Sequence, residues 1–174
     1  MSHDMSDVQR EPRWYAFVVR PRHEKKVKTY LDKKGVVNFL PLRKTLNQWK
    51  DRRRWVTSPM FSCYIFAQIA YVNRFDVLTV PSVVRLVTFN NQPTPIDDQE
   101  IEAIKMVLAS GQTFEIEDGL VPGAGVRILS GPLAGMEGRL AERRNQRWLV
   151  IIIEAINKSV LVDAGENRIE IIKE

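Results

Sequence analysis

The chain has 174 residues, 44% of them apolar and 27% charged, with 26 Lys and Arg against 21 Asp and Glu. That size suits one ordinary domain or two small ones. The composition is that of a soluble globular protein, and no apolar run approaches the roughly 20 residues of a membrane span.

The start, MSHDMSDVQREPR, is polar and has no apolar core, so residues 1–13 read as a disordered tail and not as a signal peptide. Trp14 to Arg20 (WYAFVVR) is aromatic and β-branched, a strand pattern ended by Pro21. His23 to Lys34 reads as a helix, with Val27, Tyr30 and Leu31 on one face and Gly35 as its stop. Val36 to Leu40 is a short strand ending at Pro41. Residues 42–58 are polar, basic and weakly periodic, and are expected to form a protruding hairpin or loop.

Met60 to Ile69 is a strong strand pattern. It places Phe61, Cys63, Ile65, Ala67 and Ile69 on one side and Ser62, Tyr64, Phe66 and Gln68 on the other. Both sides carry aromatics, so both should be covered: Phe61, Tyr64 and Phe66 read either as core or as a row for docking a partner helix or stacking on bases. Asn73 to Val80 is a short helix candidate, Val83 to Phe89 the next strand, and Asn90-Asn91 a turn. Asp97 and Glu100 have capping-box spacing ahead of Ile101, Ile104, Val107 and Leu108, which give a helical face. The order βαβ, basic excursion, βαβα predicts an α+β domain: a largely antiparallel sheet flanked by helices, over 14–110.

Residues 111–121 have no convincing period and read as a linker. Beyond them, glycines punctuate short strands around Val126–Leu129, Arg139–Arg144, Arg147–Ile156, Ser159–Asp163 and Arg168–Ile172, with turns at Asn145-Gln146 and Asn157-Lys158. About five short strands over 122–174 are best served by closing into a small all-β barrel.

Charge is uneven along this order. Residues 20–54 hold 13 Lys and Arg against 3 Asp and Glu, whereas 111–174 hold 8 against 10. Local basicity suggests a polyanionic partner, nucleic acid before membrane. A solvated face of Lys and Arg explains most such runs and stays open here.

Enzyme chemistry finds little support, and no cofactor is implied. The histidines are His3 in the tail and His23 at a helix start. The single cysteine, Cys63, excludes an internal disulfide, fits a reducing cytoplasmic address, and has no second thiol with which to build a zinc site. In mid-strand it reads as a small core residue before it reads as a nucleophile. No phosphate-cradling glycine motif couples a strand to a helix; GPLAGMEG lies between strands.

Four blocks carry a resemblance in the same order: WYAFVVRPRHEKKV, QWKDRRRW before SPMFSCYIF, VVRLVTFNNQPTPIDDQEIEAI, and VRILSGPLAGMEGRL. Together they resemble the NusG/RfaH family of transcription elongation factors, nearest its UpxY-like antitermination branch, over roughly residues 14–172. The resemblance implies a NusG N-terminal domain, a linker and a KOW barrel, in a monomer. It implies docking on the clamp helices of the RNA polymerase beta-prime subunit through an aromatic strand, here Phe61 and Tyr64 with Trp14 and Tyr15 nearby. It also implies a KOW partner such as Rho or a ribosomal protein, and a helical-hairpin state of that domain in some specialised members. The strand-forming residues of 122–174 favour the barrel here.

Where the family usually has Phe-Pro-Gly-Tyr, this chain has Phe61-Ser62-Cys63-Tyr64, so an ordinary extended geometry and an earlier strand start are expected. Beside this edge, Arg20, Arg22, Lys25, Lys26, Trp49, Lys50, Arg52, Arg53, Arg54 and Trp55 would face nucleic acid, either upstream non-template DNA or emerging RNA. Trp49 and Trp55 fit stacking on an exposed base, or bracing against each other across the hairpin.

Three functional readings follow from these features. They are an operon-specific antitermination factor, a housekeeping factor tied to Rho or the ribosome, and a KOW-type RNA-binding protein.

Overall fold

A computed structural model describes residues 9–172. The chain divides into two compact units, 1–97 and 98–174. His3 and most of the expected tail lie outside the described residues.

The first unit is built on a four-stranded sheet in the order β2-β5-β1-β6. Its strands are β1 (Pro12–Val19), β2 (Asn38–Phe39), β5 (Tyr64–Ala70) and β6 (Val83–Leu86). The central pair β1/β5 is antiparallel in a single register from Pro12↔Ala70 to Val18↔Tyr64. Helix α1 (Glu24–Lys33) follows β1, and the one-turn helix α2 (Phe75–Leu78) precedes β6.

Strand alternation puts Tyr15, Phe17 and Val19 on the same face as Ile65, Ala67 and Ile69, and that face packs with Val27 and Leu31 of α1 and Val77 of α2. Phe17 and Leu31 are fully buried, and each such side chain contributes about 1.5–3 kcal/mol relative to exposure. The opposite face carries an aromatic layer. Phe39 stands across from Phe66 in the register, with ring centroids 6.3 Å apart, and Phe61 meets Phe66 edge-on at 6.0 Å.

Two smaller hairpins complete the unit. β3 (Leu42–Gln48) and β4 (Arg53–Pro59) pair from Leu42↔Pro59 to Gln48↔Arg53. β7 (Thr88–Phe89) and β8 (Gln92–Pro93) pair around Asn90 and Asn91, whose φ values of 49° and 59° are those of a tight hairpin turn that asparagine tolerates.

The second unit begins with helix α3 (Asp98–Ser110), whose Ile101, Ile104 and Val107 are buried as its periodicity predicts. Its six-stranded sheet has the order β14-β10-β11-β12-β13-β9. The strands are β9 (Phe114–Asp118), β10 (Ala124–Ile128), β11 (Glu137–Arg143), β12 (Gln146–Ile153), β13 (Lys158–Asp163) and β14 (Ile169–Ile171). The apolar run of β12 is accounted for by burial on both faces: Leu149, Val150, Ile151 and Ile153 are all in the interior. Gly138 permits the close approach of β11 to β12, because a Cβ there would lie 2.6 Å from the Val150 carbonyl oxygen.

The α+β architecture, the basic hairpin, the presence of both long helices and the strand-rich C-terminal half agree with expectation, but the second long helix, expected within the domain over 14–110, falls in the second unit. Several details do not agree. The supposed linker contains β9, which pairs with β13 from Val162↔Phe114 to Lys158↔Asp118. The second sheet therefore has six strands and not five, and β14 and β9 are its two edges, so it is open among the described residues where closure was expected. β1 starts at Pro12, inside the expected tail. The β11–β12 turn falls at Arg144-Asn145, one residue before the expected pair.

The largest departure is at Phe61-Ser62-Cys63. Cys63 takes φ +68°, and β5 starts at Tyr64. The turn expected to be lost is kept without proline or glycine. A non-glycine residue in the left-handed region costs roughly 1–2 kcal/mol. A buried carboxylate meets that cost, since Glu24 Oε1 accepts the Cys63 N–H at 2.8 Å, an interaction worth about 1.5–3 kcal/mol.

Candidate nucleic-acid interface

The β3–β4 ribbon has little to bury. Its residues are mostly exposed on both faces, and its tip, Trp49 to Arg52, is closed by the Trp49 N–H donating to the Arg52 carbonyl at 2.9 Å. The register assigns its faces. Lys44, Leu46 and Gln48 share one with Arg53, Trp55 and Thr57, while Arg43, Thr45 and Asn47 share the other with Arg54, Val56 and Ser58.

Trp55 therefore stands opposite Leu46 and not opposite Trp49, which sits beyond the strands at the tip. This removes the cross-strand bracing of one tryptophan by the other. Both indoles are open to solvent, Trp49 at 60% and Trp55 at 67%. An apolar strip on one face of a cationic ribbon is suited to a partner with flat rings and phosphates.

Lys50, Arg52, Arg53 and Arg54 are exposed, as are Arg43 and Lys44. Among the described residues, no carboxylate lies within ion-pair distance of any of these six. Arg43 and Lys44 were not singled out as site residues. Their place in the basic run ahead of Trp55 was the available signal.

The remaining predicted cations lie at the turn into α1. Arg20, Arg22 and Lys26 are exposed. Arg22 occupies the left-handed region at φ 66°, with the turn closed by the His23 N–H donating to the Arg20 carbonyl at 3.1 Å. Lys25 differs from the others. Its Nζ donates to the Thr57 carbonyl at 2.7 Å, so it ties α1 to the base of the ribbon. Helix and ribbon are thereby joined, with Lys25 as the strut.

The four aromatics assigned to protein docking are not equally placed. Trp14 (7% exposed), Tyr15 (4%) and Phe61 (2%) are interior. Strand alternation sends Trp14 and Tyr15 to opposite sheet faces, and both faces are covered. The Tyr15 ring lies 6.2 Å from Tyr71, and burial raises its hydroxyl pKa above the ordinary phenol value. Tyr64, across from Val18 at the start of β5, is half-buried and keeps accessible surface.

Elsewhere in the first unit, Asp32 is bound by Asn38 Nδ2 at 2.7 Å and Lys28 Nζ at 3.2 Å. The Asn38 hydrogen bond first, then that of Lys28, lower its carboxyl pKa. Among the described residues, no group of three or more His, Cys, Asp or Glu gathers as a metal site. No helix among them is long and apolar enough to cross a membrane.

The profile of the family NusG, described as transcription termination factor nusG, matches residues 12–105. Of the solved structures that are similar, Thermotoga maritima NusG, described for its domain interaction, superposes with a TM-score of 0.51. It is 22% identical and covers 95% of this chain and 99% of its own. Two conformations of the MjSpt4:Spt5 complex match at a TM-score of 0.32, with 14% and 12% identity, 92% of this chain and 99% of theirs. The Thermotoga likeness supports the fold. No curated protein sequence matches the chain.

Proposed function

The chain belongs to the NusG family of transcription factors, whose profile spans residues 12–105, and from that premise we propose that it is an elongation factor of the specialised antitermination kind. In this reading residues 14–110, a NusG N-terminal domain, dock on the clamp helices of the RNA polymerase beta-prime subunit. Its ribbon touches the non-template DNA or nascent RNA passing beside it. The strand-rich stretch 122–174 corresponds to a KOW domain, available to Rho or a ribosomal protein. The outcome is suppressed pausing and termination, on particular long operons such as polysaccharide clusters.

The observation that carries this reading is the unpaired cationic ribbon. Clustered like charges repel one another, and a ribbon that adds little to the core has no need of six of them. Phosphates would neutralise them and release counterions. Trp49 and Trp55 would add stacking on unpaired bases, about 1–3 kcal/mol per base.

On the polymerase side, the surface contact falls to Tyr64, with Phe61 and Trp14 on the same sheet face supporting it from within and Tyr15 in the core on the other face. A housekeeping role, in which the second unit recruits Rho, is favoured by the description of the matched family as a termination factor. Depletion followed by transcript mapping separates the two. The proposed role changes a few long operons; the housekeeping role changes transcripts throughout the genome. Capture of polymerase by the wild type and by Tyr64→Ala tests the docking itself, and equal capture overturns it.

A further inference from the structure

Glu24 and Ser159 are the buried polar side chains among the described residues. Ser159 is doubly engaged: its hydroxyl donates to the Gly119 carbonyl at 2.7 Å and accepts the Val121 N–H at 3.0 Å. Glu24, the first residue of α1, spends its carboxylate on a backbone group 39 residues away, the N–H of Cys63.

The turn at Cys63 is held mostly from outside. Its internal closing contact, from the Tyr64 N–H to the Phe61 carbonyl, is long at 3.4 Å. The external bonds are shorter. Cys63 N–H to Glu24 is 2.8 Å, Val19 N–H to the Cys63 carbonyl is 2.9 Å, and Met60 N–H to the Pro41 carbonyl is 2.8 Å.

The left-handed residue has a consequence for the side chains. Continued extension through Cys63 would place Phe61 on the face of Ile65, Ala67 and Ile69. Instead Phe61 sits edge-on to Phe66, which belongs to the other face with Tyr64. The turn therefore carries Phe61 across the sheet edge, so that it packs beneath the face from which Tyr64 emerges.

We propose that Glu24 is a positioning residue for the docking surface: its carboxylate fixes the left-handed turn at Cys63 and so places Phe61 and Tyr64 on one face. The inference rests on the docking role of Tyr64 for its functional meaning, and on geometry alone for its structural part. Neither serine nor cysteine selects a positive φ by itself, so the acceptor must come from elsewhere in the fold.

Cys63 is the only cysteine in the chain and is partly accessible, so its alkylation by iodoacetamide reports the turn directly. Glu24→Ala should alkylate at least about fivefold faster than wild type with an unchanged far-UV spectrum, and Glu24→Gln, which keeps an acceptor oxygen, within about twofold of wild type. Polymerase binding should fall about tenfold in Glu24→Ala and return in Glu24→Ala/Cys63→Gly, because glycine adopts the turn unaided. An unchanged alkylation rate in Glu24→Ala overturns the proposal. So does a double variant that stays defective, including the case in which Glu24→Ala alone does not fold. If alkylation responds as expected but Tyr64→Ala binds polymerase normally, the docking reading fails and the role of Glu24 in the turn stands.

Discussion

In the second unit, Arg127 lies against Glu137 and Glu170, Arg143 against Glu117, and Lys158 against Asp118. Hydrogen bonding to Glu137 and Glu117 respectively raises the pKa of Arg127 and Arg143 above the ordinary guanidinium value. In the β3–β4 ribbon, Arg43, Lys44, Lys50, Arg52, Arg53 and Arg54 have no carboxylate within ion-pair distance among the described residues. The two regions use the same residue types for different ends. These three cations of the second sheet each bridge two or more of its strands and are engaged before any ligand arrives, whereas those of the ribbon keep their donors for a partner. A count of Lys and Arg cannot separate these cases; the position of the acids can.

That contrast can be broken by substitution. The largest effect is expected from Arg52→Ala/Arg53→Ala/Arg54→Ala. It should weaken binding of a single-stranded oligonucleotide on the order of 30-fold at low salt, from roughly threefold per phosphate contact, with the melting temperature unchanged. Fluorescence titration of the wild type and the triple variant measures the difference. Gly138→Ala attacks the other region. Its Cβ would meet the Val150 carbonyl oxygen at 2.6 Å, and overpacking of this sort costs about 1–3 kcal/mol. Thermal unfolding should show the loss while oligonucleotide affinity stays as it was.

A smaller effect, about tenfold on polymerase capture and none on oligonucleotide affinity, is expected of Tyr64→Ala. Arg127→Gln and Arg143→Gln should change oligonucleotide affinity less than about twofold, because their donors are already used. If they behaved like the ribbon arginines, the distinction between the two regions would collapse.

The smallest effect concerns Asp32, whose carboxyl is held below its ordinary pKa by Asn38 and Lys28. A group lowered on folding stabilises above its unfolded pKa, and that contribution disappears as pH falls through the folded value. Asp32→Asn should therefore show a flatter loss of stability in acid, read from unfolding curves at a series of pH values.

Much of this was readable in the residues. The alternation of WYAFVVR, the face of Val27, Tyr30 and Leu31, and the crowding of cations before Trp55 are local signals, and each led to the right element. The features that were missed depend on partners distant in sequence. Phe114–Asp118 has no strong period of its own and becomes a strand because Lys158–Asp163 offers a register. Cys63 adopts a glycine-like φ because Glu24 supplies an acceptor. The resemblance assigns Trp14, Tyr15 and Phe61 to a docking surface, but both faces of this sheet are covered from within the chain. Lys25 belongs to the basic run by charge and to the framework by its bond to Thr57.

The most direct test of the central claim is the salt dependence of oligonucleotide binding by the full chain, as the log–log slope for wild type and for Arg52→Ala/Arg53→Ala/Arg54→Ala. With about 0.7 counterions released per single-strand phosphate contact, the variant's slope should be shallower by about 2. Identical slopes would mean that these arginines touch no phosphate, and would contradict the assignment of the ribbon to nucleic acid.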